Sequence, residues 1–449
     1  MEKKITYWDR EEEHDAIMAF SEDYKAFLDR AKTERMAAKE IVRLAEEAGY
    51  KNFYDMDSLK HGDKIYFLNK EKSVVLFDLA ADFEEGMAIV ASHIDSPRLD
   101  IKATPLYEEE NVALLKTHYY GGIKKYQWTA IPLAMHGVVV TKDGKKHEVN
   151  IGSDPADPVF TVTDLLPHLS KSQNKKTLDE GIIGENLNVL FGHRSLNGSV
   201  EEAAKALLKE KYGMDADDFE TAELEVVPAF NARDIGLDRS MVAAYGQDDK
   251  VCAYASLRAQ LDGKNRTKTC VAVFADKEEI GSVGNTSMSA KYFENAVAEV
   301  LYKLGVDSNI AVRRALANSM VLSADVTAAL DPNYPEVMDK KNAARLGEGV
   351  CMMKYTGARG KSSTNDANVE FVAALRDQFA KDNILWQTGE MGKVDEGGGG
   401  TVAYILAETG AEVVDLGTAL FSMHAPFEVA SKADIYSTYK AYSSFLTMK

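Results

Sequence analysis

The spacing of apolar residues changes along the chain, and each spacing predicts a different kind of element. In the first fifty residues, positions such as Phe20, Tyr24 and Phe27 recur every three or four residues, which predicts helices. Ser73–Asp78 and Met87–Ser92 have the length of strands, and the second of them, MAIVAS, is almost entirely apolar. A strand that is apolar on both sides is typical of a sheet covered by helices on both faces.

A different pattern occupies residues 99–235. Apolar and polar residues alternate in short runs, and turn signals such as Gly121-Gly122 and Asp154-Pro155 separate the runs. Alternation with a period of two favours antiparallel strands, and we predict a hairpin tip at 119–122 and one helix at 199–212. We interpret this region as an inserted, mainly antiparallel β domain.

Strands and helices alternate again over residues 236–449. Strands are predicted at 269–275, 319–324, 384–388 and 411–416, with helical segments such as 251–261 and 369–380 between them. This alternation predicts an α/β fold with a mostly parallel central sheet flanked by helices. Its domain would comprise residues 1–98 and 236–449, with the β-rich region 99–235 inserted between the two parts.

The charge of the chain narrows the choice of partners. Acidic residues number 71 against 53 basic ones, so the formal net charge is −18, which disfavours nucleic acid and anionic membranes as partners. Cys252, Cys270 and Cys351 form no Cys-x-x-Cys motif and are predicted to be reduced, buried thiols. No secretory signal and no apolar stretch of about 20 residues is visible, so a cytoplasmic protein is expected.

Five short clusters of acidic residues and histidines lie near the ends of predicted elements. In open α/β sheets ligands bind beyond the carboxyl ends of the strands, so these side chains are expected to converge at one edge. The clusters are His93-Ile94-Asp95, Gln247-Asp248-Asp249, Asp276-Lys277-Glu278-Glu279, Ser323-Ala324-Asp325 and Met423-His424.

Two imidazoles and three carboxylates from these clusters are ligands of the kind that Zn²⁺ accepts, and Asp248 is the candidate to bridge two ions. Paired metal ions make a water molecule acidic enough to attack a substrate near neutral pH. Glu278 points away from its neighbour Glu279 in extended chain, which makes it the candidate general base. Asp95 is the candidate to fix the tautomer of His93. The candidate metal ligands are His93, Asp248, Glu279, Asp325 and His424.

Each cluster taken alone has an ordinary structural explanation. His93-Ile94-Asp95 is also what a capped turn after a strand looks like, and Glu278-Glu279 is also typical of a solvated acidic turn. Asp248-Asp249 before a helix is also a good N-cap. The metal hypothesis therefore depends on all five clusters occurring together and in this order.

The ordered set resembles the aspartyl aminopeptidase (vacuolar aminopeptidase I) family of dinuclear zinc aminopeptidases, over essentially the whole chain. The most specific motifs are His93-Ile94-Asp95-Ser96-Pro97, Glu278-Glu279-Ile280-Gly281-Ser282, Ser323-Ala324-Asp325 and Asp415-Leu416-Gly417 leading to Met423-His424. The resemblance implies removal of the N-terminal residue from peptides by a catalytic domain that holds two Zn²⁺ ions and is split by a dimerisation domain. It also implies dimers assembled into a dodecamer, the five ligands and the roles of Glu278 and Asp95 given above, and a His168 that reaches a neighbouring subunit's active site.

Substrate recognition is the part of the resemblance with most departures. Arg359 and Lys361 keep positive charge in the segment that contacts an acidic substrate side chain in this family, although the local pattern differs, so a preference for N-terminal Asp or Glu is an expectation. Asp395 or Glu396, beside a run of four glycines, is predicted from charge alone to bind the substrate's α-ammonium group. Ala328 stands where the family often has a histidine.

Other functions fit the same residues. Histidine–carboxylate sites also accept Mn²⁺ or Co²⁺, and the same centre would serve a carboxypeptidase or deacylase. A non-enzymatic assembly protein that kept the fold is a further alternative. Peptides with an acetylated N-terminus distinguish an aminopeptidase from a carboxypeptidase or deacylase, because only an aminopeptidase needs the free amine. Metal content distinguishes the enzyme from a non-enzymatic assembly protein.

Overall fold

The computed structural model describes residues 6–80, 83–264 and 266–448. Within these residues the α-helices are α1 (His14–Arg30), α2 (Glu34–Glu47), α3 (Leu178–Gly181), α4 (Val200–Tyr212), α5 (Gln247–Leu261), α6 (Tyr292–Lys303), α7 (Asn309–Ala317), α8 (Val369–Lys381), α9 (Ala403–Ala407) and α10 (Lys432–Phe445). The strands are β1 (Lys51–Asn52), β2 (Lys64–Asn69), β3 (Ser73–Asp78), β4 (Ala88–His93), β5 (Arg98–Glu109), β6 (Val112–Tyr120), β7 (Leu133–Val140), β8 (Lys146–Ile151), β9 (Val189–Gly192), β10 (Ala222–Pro228), β11 (Arg233–Ile235), β12 (Met241–Ala244), β13 (Cys270–Ala275), β14 (Met320–Ser323), β15 (Thr327–Ala328), β16 (Val350–Met353), β17 (Trp386–Thr388), β18 (Glu412–Gly417), β19 (Ala419–Phe421) and β20 (Glu428–Ser431).

The described residues form two compact units. The main unit contains the described residues up to Asp95, those of Ala232–Met423, and those from Glu428 onward. The inserted unit contains Ser96–Asn231 and the short segment His424–Phe427.

The main unit is built on a nine-stranded sheet in the order β1-β2-β3-β13-β4-β14-β18-β16-β17. Strands β13, β4, β14 and β18 form a continuous parallel group at its centre, and β3 and β16 pair with that group in the antiparallel sense. The predicted α/β fold with a mostly parallel central sheet is confirmed. A second, five-stranded sheet in the same unit has the order β11-β12-β20-β19-β15.

Helices cover the nine-stranded sheet on both faces, which explains the nearly continuous apolar run in β4. Successive side chains of a strand point to opposite faces. Val90 packs in a core with Val251 of α5, whereas Ile89 packs in a different core with Val297 of α6. All six residues of β4 are buried as a result.

The inserted unit contains a six-stranded sheet in the order β8-β7-β10-β5-β6-β9, and every pair in it is antiparallel. The predicted antiparallel insert is confirmed. The hairpin tip predicted at 119–122 is wrong, because β6 pairs with β5 and β9 and does not turn back onto β7. After Tyr120 the chain instead enters a short 3-10 helix, Lys125–Trp128, that buries the Trp128 side chain completely.

Cys252, Cys270 and Cys351 are buried and form no disulfide with one another. In the part of the chain that the structure describes, every helix is too short or too polar to cross a bilayer.

Candidate metal centre

His93 is the hub of a cluster of acidic side chains in the main unit. It is the last residue of β4, and only 2% of it is exposed. Its Nε2 lies 3.3 Å from Asp248 Oδ1, 3.8 Å from Asp325 Oδ1 and 3.9 Å from Glu278 Oε2. One imidazole nitrogen therefore faces three carboxylates. Up to 77 residues of sequence separate these acids from one another, but the fold brings them together.

Sheet topology brings these groups together. Strand β4 lies between β13 and β14 and runs parallel to both, so the three strands end at the same edge. His93 ends β4, Glu278 and Glu279 follow β13 in a short turn, and Asp325 comes two residues after β14. This is the edge at which ligands bind in open α/β sheets.

Asp248 enters the cluster from a turn at the start of α5. Gly246, with φ of 73°, precedes the helix, and Asp248 itself has non-helical backbone angles. The buried Glu428 holds this turn, since its Oε2 accepts hydrogen bonds from the backbone nitrogens of Gln247 at 2.6 Å and Asp248 at 3.2 Å. The side chain of Asp248 is thereby directed from a rigid backbone.

Asp95 ties the cluster together from behind. Its Oδ1 lies 3.3 Å from His93 Nδ1, which fixes the ring on the side opposite the other acids. Its two carboxylate oxygens also accept hydrogen bonds from the backbone N–H groups of Glu278 and Glu279, each at 3.2 Å. Asp95 is fully buried, so its role is to position His93, Glu278 and Glu279 rather than to contact the substrate.

The crowding of acids has electrostatic consequences. Burial lowers the pKa of His93, but its contacts with Asp248 and Asp95 outweigh burial and raise that pKa well above its ordinary value. Burial raises the pKa of Asp325 well above its ordinary value, and repulsion from Asp249 and Glu278 adds to the shift. Burial likewise raises the pKa of Asp249. Closely spaced buried carboxylates favour a bound cation, which would remove this repulsion.

Two overlapping groups of side chains in the described part of the chain have the geometry to hold a metal ion. In each group the potential ligand atoms lie within 4.8 Å of one another, and the groups are His93, Asp248 and Glu279, and His93, Asp249 and Asp325. Imidazole nitrogen and carboxylate oxygen are the donors that Zn²⁺ takes in hydrolytic sites, so these residues fit that ion.

Asp249 and Glu428 belong to this cluster but were not predicted from the sequence as site residues. Asp249 is completely buried, and its Oδ2 accepts a hydrogen bond from the backbone nitrogen of His93 at 3.3 Å. The adjacent Asp248-Asp249 pair was the available signal, because two successive acids before a helix are more than one cap requires. Glu428 carries no comparable signal, since it is a single acid in an ordinary β-strand.

Six further predicted site residues remain, two in the inserted unit and four in the main unit. His424 belongs to the inserted unit, where its Nδ1 is 2.8 Å from the carbonyl oxygen of Gly122. His168 is exposed in a short 3-10 helix of the same unit. Arg359, Lys361, Asp395 and Glu396 are exposed residues of the main unit.

Lys361 and the acids beside the glycine run differ in their surroundings. Lys361 Nζ is 2.7 Å from Asp366 Oδ2 and 3.9 Å from the centre of the Tyr355 ring. The positive charge of Lys361 is thus already balanced by a neighbouring carboxylate, whereas the structure shows exposed side chains at Asp395 and Glu396.

Several solved structures of aminopeptidases share this architecture. The M18-family aminopeptidase of Thermotoga maritima superposes with a TM-score of 0.97 at 46% identity, covering all of both chains. Aminopeptidase I of Clostridium acetobutylicum gives a TM-score of 0.93 at 46% identity, again over all of both chains. The S. cerevisiae mApe1 dodecamer shares the fold at 18% identity, with a TM-score of 0.77 over 96% of this chain and 97% of that one.

The fold and the histidine–carboxylate cluster thus define a metal-dependent aminopeptidase, a hydrolase of peptide bonds. Residues 27–446 match the model of the family described as aminopeptidase I zinc metalloprotease (M18). A probable M18 family aminopeptidase 1 of Clostridium acetobutylicum is 50% identical over 98% of this chain and 97% of that relative. The chain belongs to the M18 family of zinc aminopeptidases, as the sequence motifs indicated, and its substrates are peptides. The carboxypeptidase, deacylase and non-enzymatic alternatives are set aside.

Proposed function

We propose that this aminopeptidase holds two Zn²⁺ ions per subunit through His93, Asp248, Glu279, Asp325 and His424. The observation that carries the proposal is that the potential ligands beside His93 include four carboxylates, Asp248, Asp249, Glu279 and Asp325, which is more than one catalytic zinc ion takes. Asp248 lies on the side of His93 that faces Asp325 and Glu278, which suits a bridging carboxylate. Zn²⁺ held by these residues would supply a Lewis acid that polarises the scissile carbonyl and makes a water more acidic. Mn²⁺ or Co²⁺ would fit the same donors.

Glu278 is the general base of this proposal. Its side chain is 17% exposed and therefore reaches both the buried cluster and a bound peptide. The two Asp95 hydrogen bonds fix the backbone of the turn that carries it. Glu278 takes a proton from the attacking water on a carboxylate oxygen and delivers it to the leaving amine.

Two adjacent variants test the base and the ligand separately. Glu278→Gln should retain about two ions per subunit and lose turnover by a factor of about 10²–10⁴, the usual contribution of a general base. Glu279→Gln should instead lose metal, which elemental analysis of the dialysed protein measures. Undiminished turnover in Glu278→Gln would remove Glu278 as the base.

His424 is the ligand whose assignment most needs a direct test, because it lies in the other unit. His424→Ala should bind one ion fewer per subunit than the wild type. His147→Ala is the matched control, since His147 is a partly buried histidine of a strand in the inserted unit. Two ions in both variants would exclude His424 from the metal centre.

We also propose a preference for acidic N-terminal residues, with Arg359 and Lys361 meeting the substrate carboxylate and Asp395 or Glu396 meeting its α-ammonium group. These exposed groups of opposite charge lie in two loops that a backbone hydrogen bond from Gly357 to Gly399 joins, which supports this assignment. A panel of peptides that differ only at the N-terminal residue, assayed with Zn²⁺, Mn²⁺ and Co²⁺, measures the preference. Acetylating the N-terminus should abolish cleavage of each peptide.

The inserted unit is proposed to pair subunits, with dimers assembling into a dodecamer and His168 completing a neighbour's active site. Leu165, Leu166 and Leu169 flank His168 and are 43%, 49% and 66% exposed, which is apolar surface suited to a partner. Mixing inactive His168→Ala and Glu278→Gln subunits should restore part of the activity, because some sites then receive both intact residues. Mixtures that stay inactive, although light scattering shows mixed oligomers, would exclude this arrangement.

We propose the cytoplasm as the compartment of this protein. Its three free thiols suit that reducing environment.

A further inference from the structure

Lys277 stands between strand β13 and the short 3-10 helix that carries Glu278 and Glu279. Its backbone is left-handed, with φ of 66°, a conformation that glycine adopts freely and that other residues adopt at a cost. Strained backbone of this kind persists where surrounding contacts hold it in place. A glycine would form the same turn with less strain, so the lysine side chain is expected to contribute contacts of its own.

The side chains of Asp276, Lys277 and Thr286 form a closed triad of hydrogen bonds. Lys277 Nζ lies 3.0 Å from Asp276 Oδ2 and 3.0 Å from Thr286 Oγ1, and Thr286 Oγ1 donates to the same Asp276 oxygen at 2.5 Å. Asp276 and Thr286 are each only 1% exposed. Burial raises the pKa of Asp276, with Glu34 and Asp95 adding to the shift, whereas Thr286 and Lys277 oppose it. The lysine and the hydroxyl thus stabilise a buried negative charge through charge-assisted hydrogen bonds.

The chain that follows the two glutamates folds back around the Lys277 side chain. The backbone nitrogen of Asp276 donates a hydrogen bond to the carbonyl oxygen of Thr286 at 3.2 Å, which brings the returning segment beside the end of β13. Gly284 lies on this segment, and a Cβ added there would be 2.8 Å from Cδ of Lys277 and 3.2 Å from its Cε. Glycine at this position therefore leaves the space that the aliphatic part of the lysine occupies.

We propose that the triad of Asp276, Lys277 and Thr286 positions Glu278 for catalysis, an inference that rests on the role of Glu278 as general base. Asp95 holds the backbone nitrogen of Glu278 from one side. The triad fixes the residue directly before Glu278, so the turn is held at two points. Lys277 acts through Glu278 and is a positioning residue, since its ammonium group is bound by Asp276 and Thr286.

Steady-state kinetics of the zinc-loaded variants Lys277→Asn and Thr286→Val test this role. Asparagine tolerates left-handed backbone, so Lys277→Asn removes the ammonium group and keeps the turn. In both variants kcat should fall about tenfold or more, with KM within about twofold of the wild type and metal content unchanged. Thr286→Ser, which keeps the hydroxyl, should restore most of the turnover that Thr286→Val loses. Wild-type kcat in Lys277→Asn would overturn the proposal.

Lys70→Asn is the matched control for the lysine variant. Lys70 also has left-handed backbone, with φ of 52°, but it lies in the turn between β2 and β3. Its replacement should leave kcat unchanged. An equal loss of kcat in Lys70→Asn and Lys277→Asn would contradict a specific effect of Lys277. If Thr286→Val fails to fold, Lys277→Asn still decides the matter, because the Lys277 side chain is 25% exposed.

A double-mutant cycle with Glu278→Gln separates positioning from general damage to the fold. Because the triad acts through the Glu278 carboxylate, Lys277→Asn should change the residual turnover of Glu278→Gln by less than about twofold. An equal fold-loss in both backgrounds would overturn the proposal. Full turnover in Glu278→Gln alone would instead refute the general base, so the failure of that assignment is distinguishable from the failure of the positioning role.

Discussion

Asp95 Oδ1 lies 3.2 Å from the backbone nitrogen of Glu278, so the proposed general base is held by a residue of the strand end that carries His93. The other oxygen of Asp95 receives the backbone N–H of Glu279 in the same way. The Asp95 carboxylate thus fixes the spacing between the His93 imidazole at the end of β4 and the two glutamates that follow the adjacent strand β13. Small errors in that spacing reduce activity and metal affinity, because proton transfer and metal binding both require side chains positioned to within tenths of an ångström.

Asp95→Asn should therefore damage the centre without removing any ligand. The amide keeps one acceptor but places an NH₂ group against the second backbone N–H, so metal affinity or turnover should fall about 10–100-fold. Competition with a chelator and steady-state kinetics measure the two effects. Asp238→Asn is the control, since Asp238 Oδ1 accepts a backbone hydrogen bond from Ser240 in a surface turn; equal losses in both variants would argue against a specific role.

Glu428→Gln should weaken metal binding from a distance. The amide is a poorer acceptor for the Gln247 and Asp248 backbone N–H groups, so the turn that directs Asp248 becomes less rigid, and we expect metal affinity to drop about tenfold. Glu108→Gln is a matched control, because Glu108 Oε2 accepts backbone hydrogen bonds at the start of α4 in the inserted unit. Unchanged affinity in Glu428→Gln would show that the turn holds its shape without this carboxylate.

The two cationic side chains proposed to meet the substrate should not contribute equally. Lys361 is paired with Asp366, so Lys361→Ala should reduce the preference for N-terminal Asp over Ala less than Arg359→Ala does. The ratio of kcat/KM values for the two substrates measures this preference. Asp366→Asn should raise it by releasing Lys361, and a larger effect of Lys361→Ala than of Arg359→Ala would reverse the assignment.

Asp434 should make the stability of the main unit depend on pH. Burial raises the pKa of Asp434 from 3.8 to about 7, and the neighbouring Glu348 adds to the shift against the hydrogen bonds from Gly347 and Gly349. The folded state then binds the proton more tightly than the unfolded chain, so the free energy of unfolding contributed by Asp434 falls as pH rises from about 4 to about 7. The melting temperature of the wild type minus that of Asp434→Asn should decrease between pH 5 and pH 7.5. A difference that stays constant over this range would contradict the shifted pKa.

The sequence predicted the centre of the fold better than its periphery. Buried strands such as β4 and β13 are visible as apolar runs because helices cover both of their faces. Strand β16, Val350–Met353, was missed, since four residues without alternation are too few to distinguish from other buried segments. The turn at 119–122 was misassigned because a glycine pair permits a reversal but does not require one, and burial of Trp128 determined the path instead.

The same limit applies to the site. His93, Glu278 and Asp325 were predictable because each lies at or just after the carboxyl end of a strand, and position along a parallel sheet specifies position in space. Glu428, on β20 of the five-stranded sheet, acts through the backbone of Asp248 at the start of α5, and no local pattern encodes that contact. Asp249 was not predicted as a site residue, because the sequence alone does not show that Asp248 and Asp249 both point inward from the turn.

The hydrogen bond between Glu428 and Asp248 spans 180 residues of sequence. A ribosome needs roughly 9–36 s to add that many residues at about 5–20 residues per second. During this interval the Asp248 turn of the nascent chain lacks the Glu428 carboxylate that accepts its backbone hydrogen bonds. We therefore expect full metal affinity only after most of the polypeptide has been made, because a shorter chain lacks the carboxylate that holds the Asp248 turn.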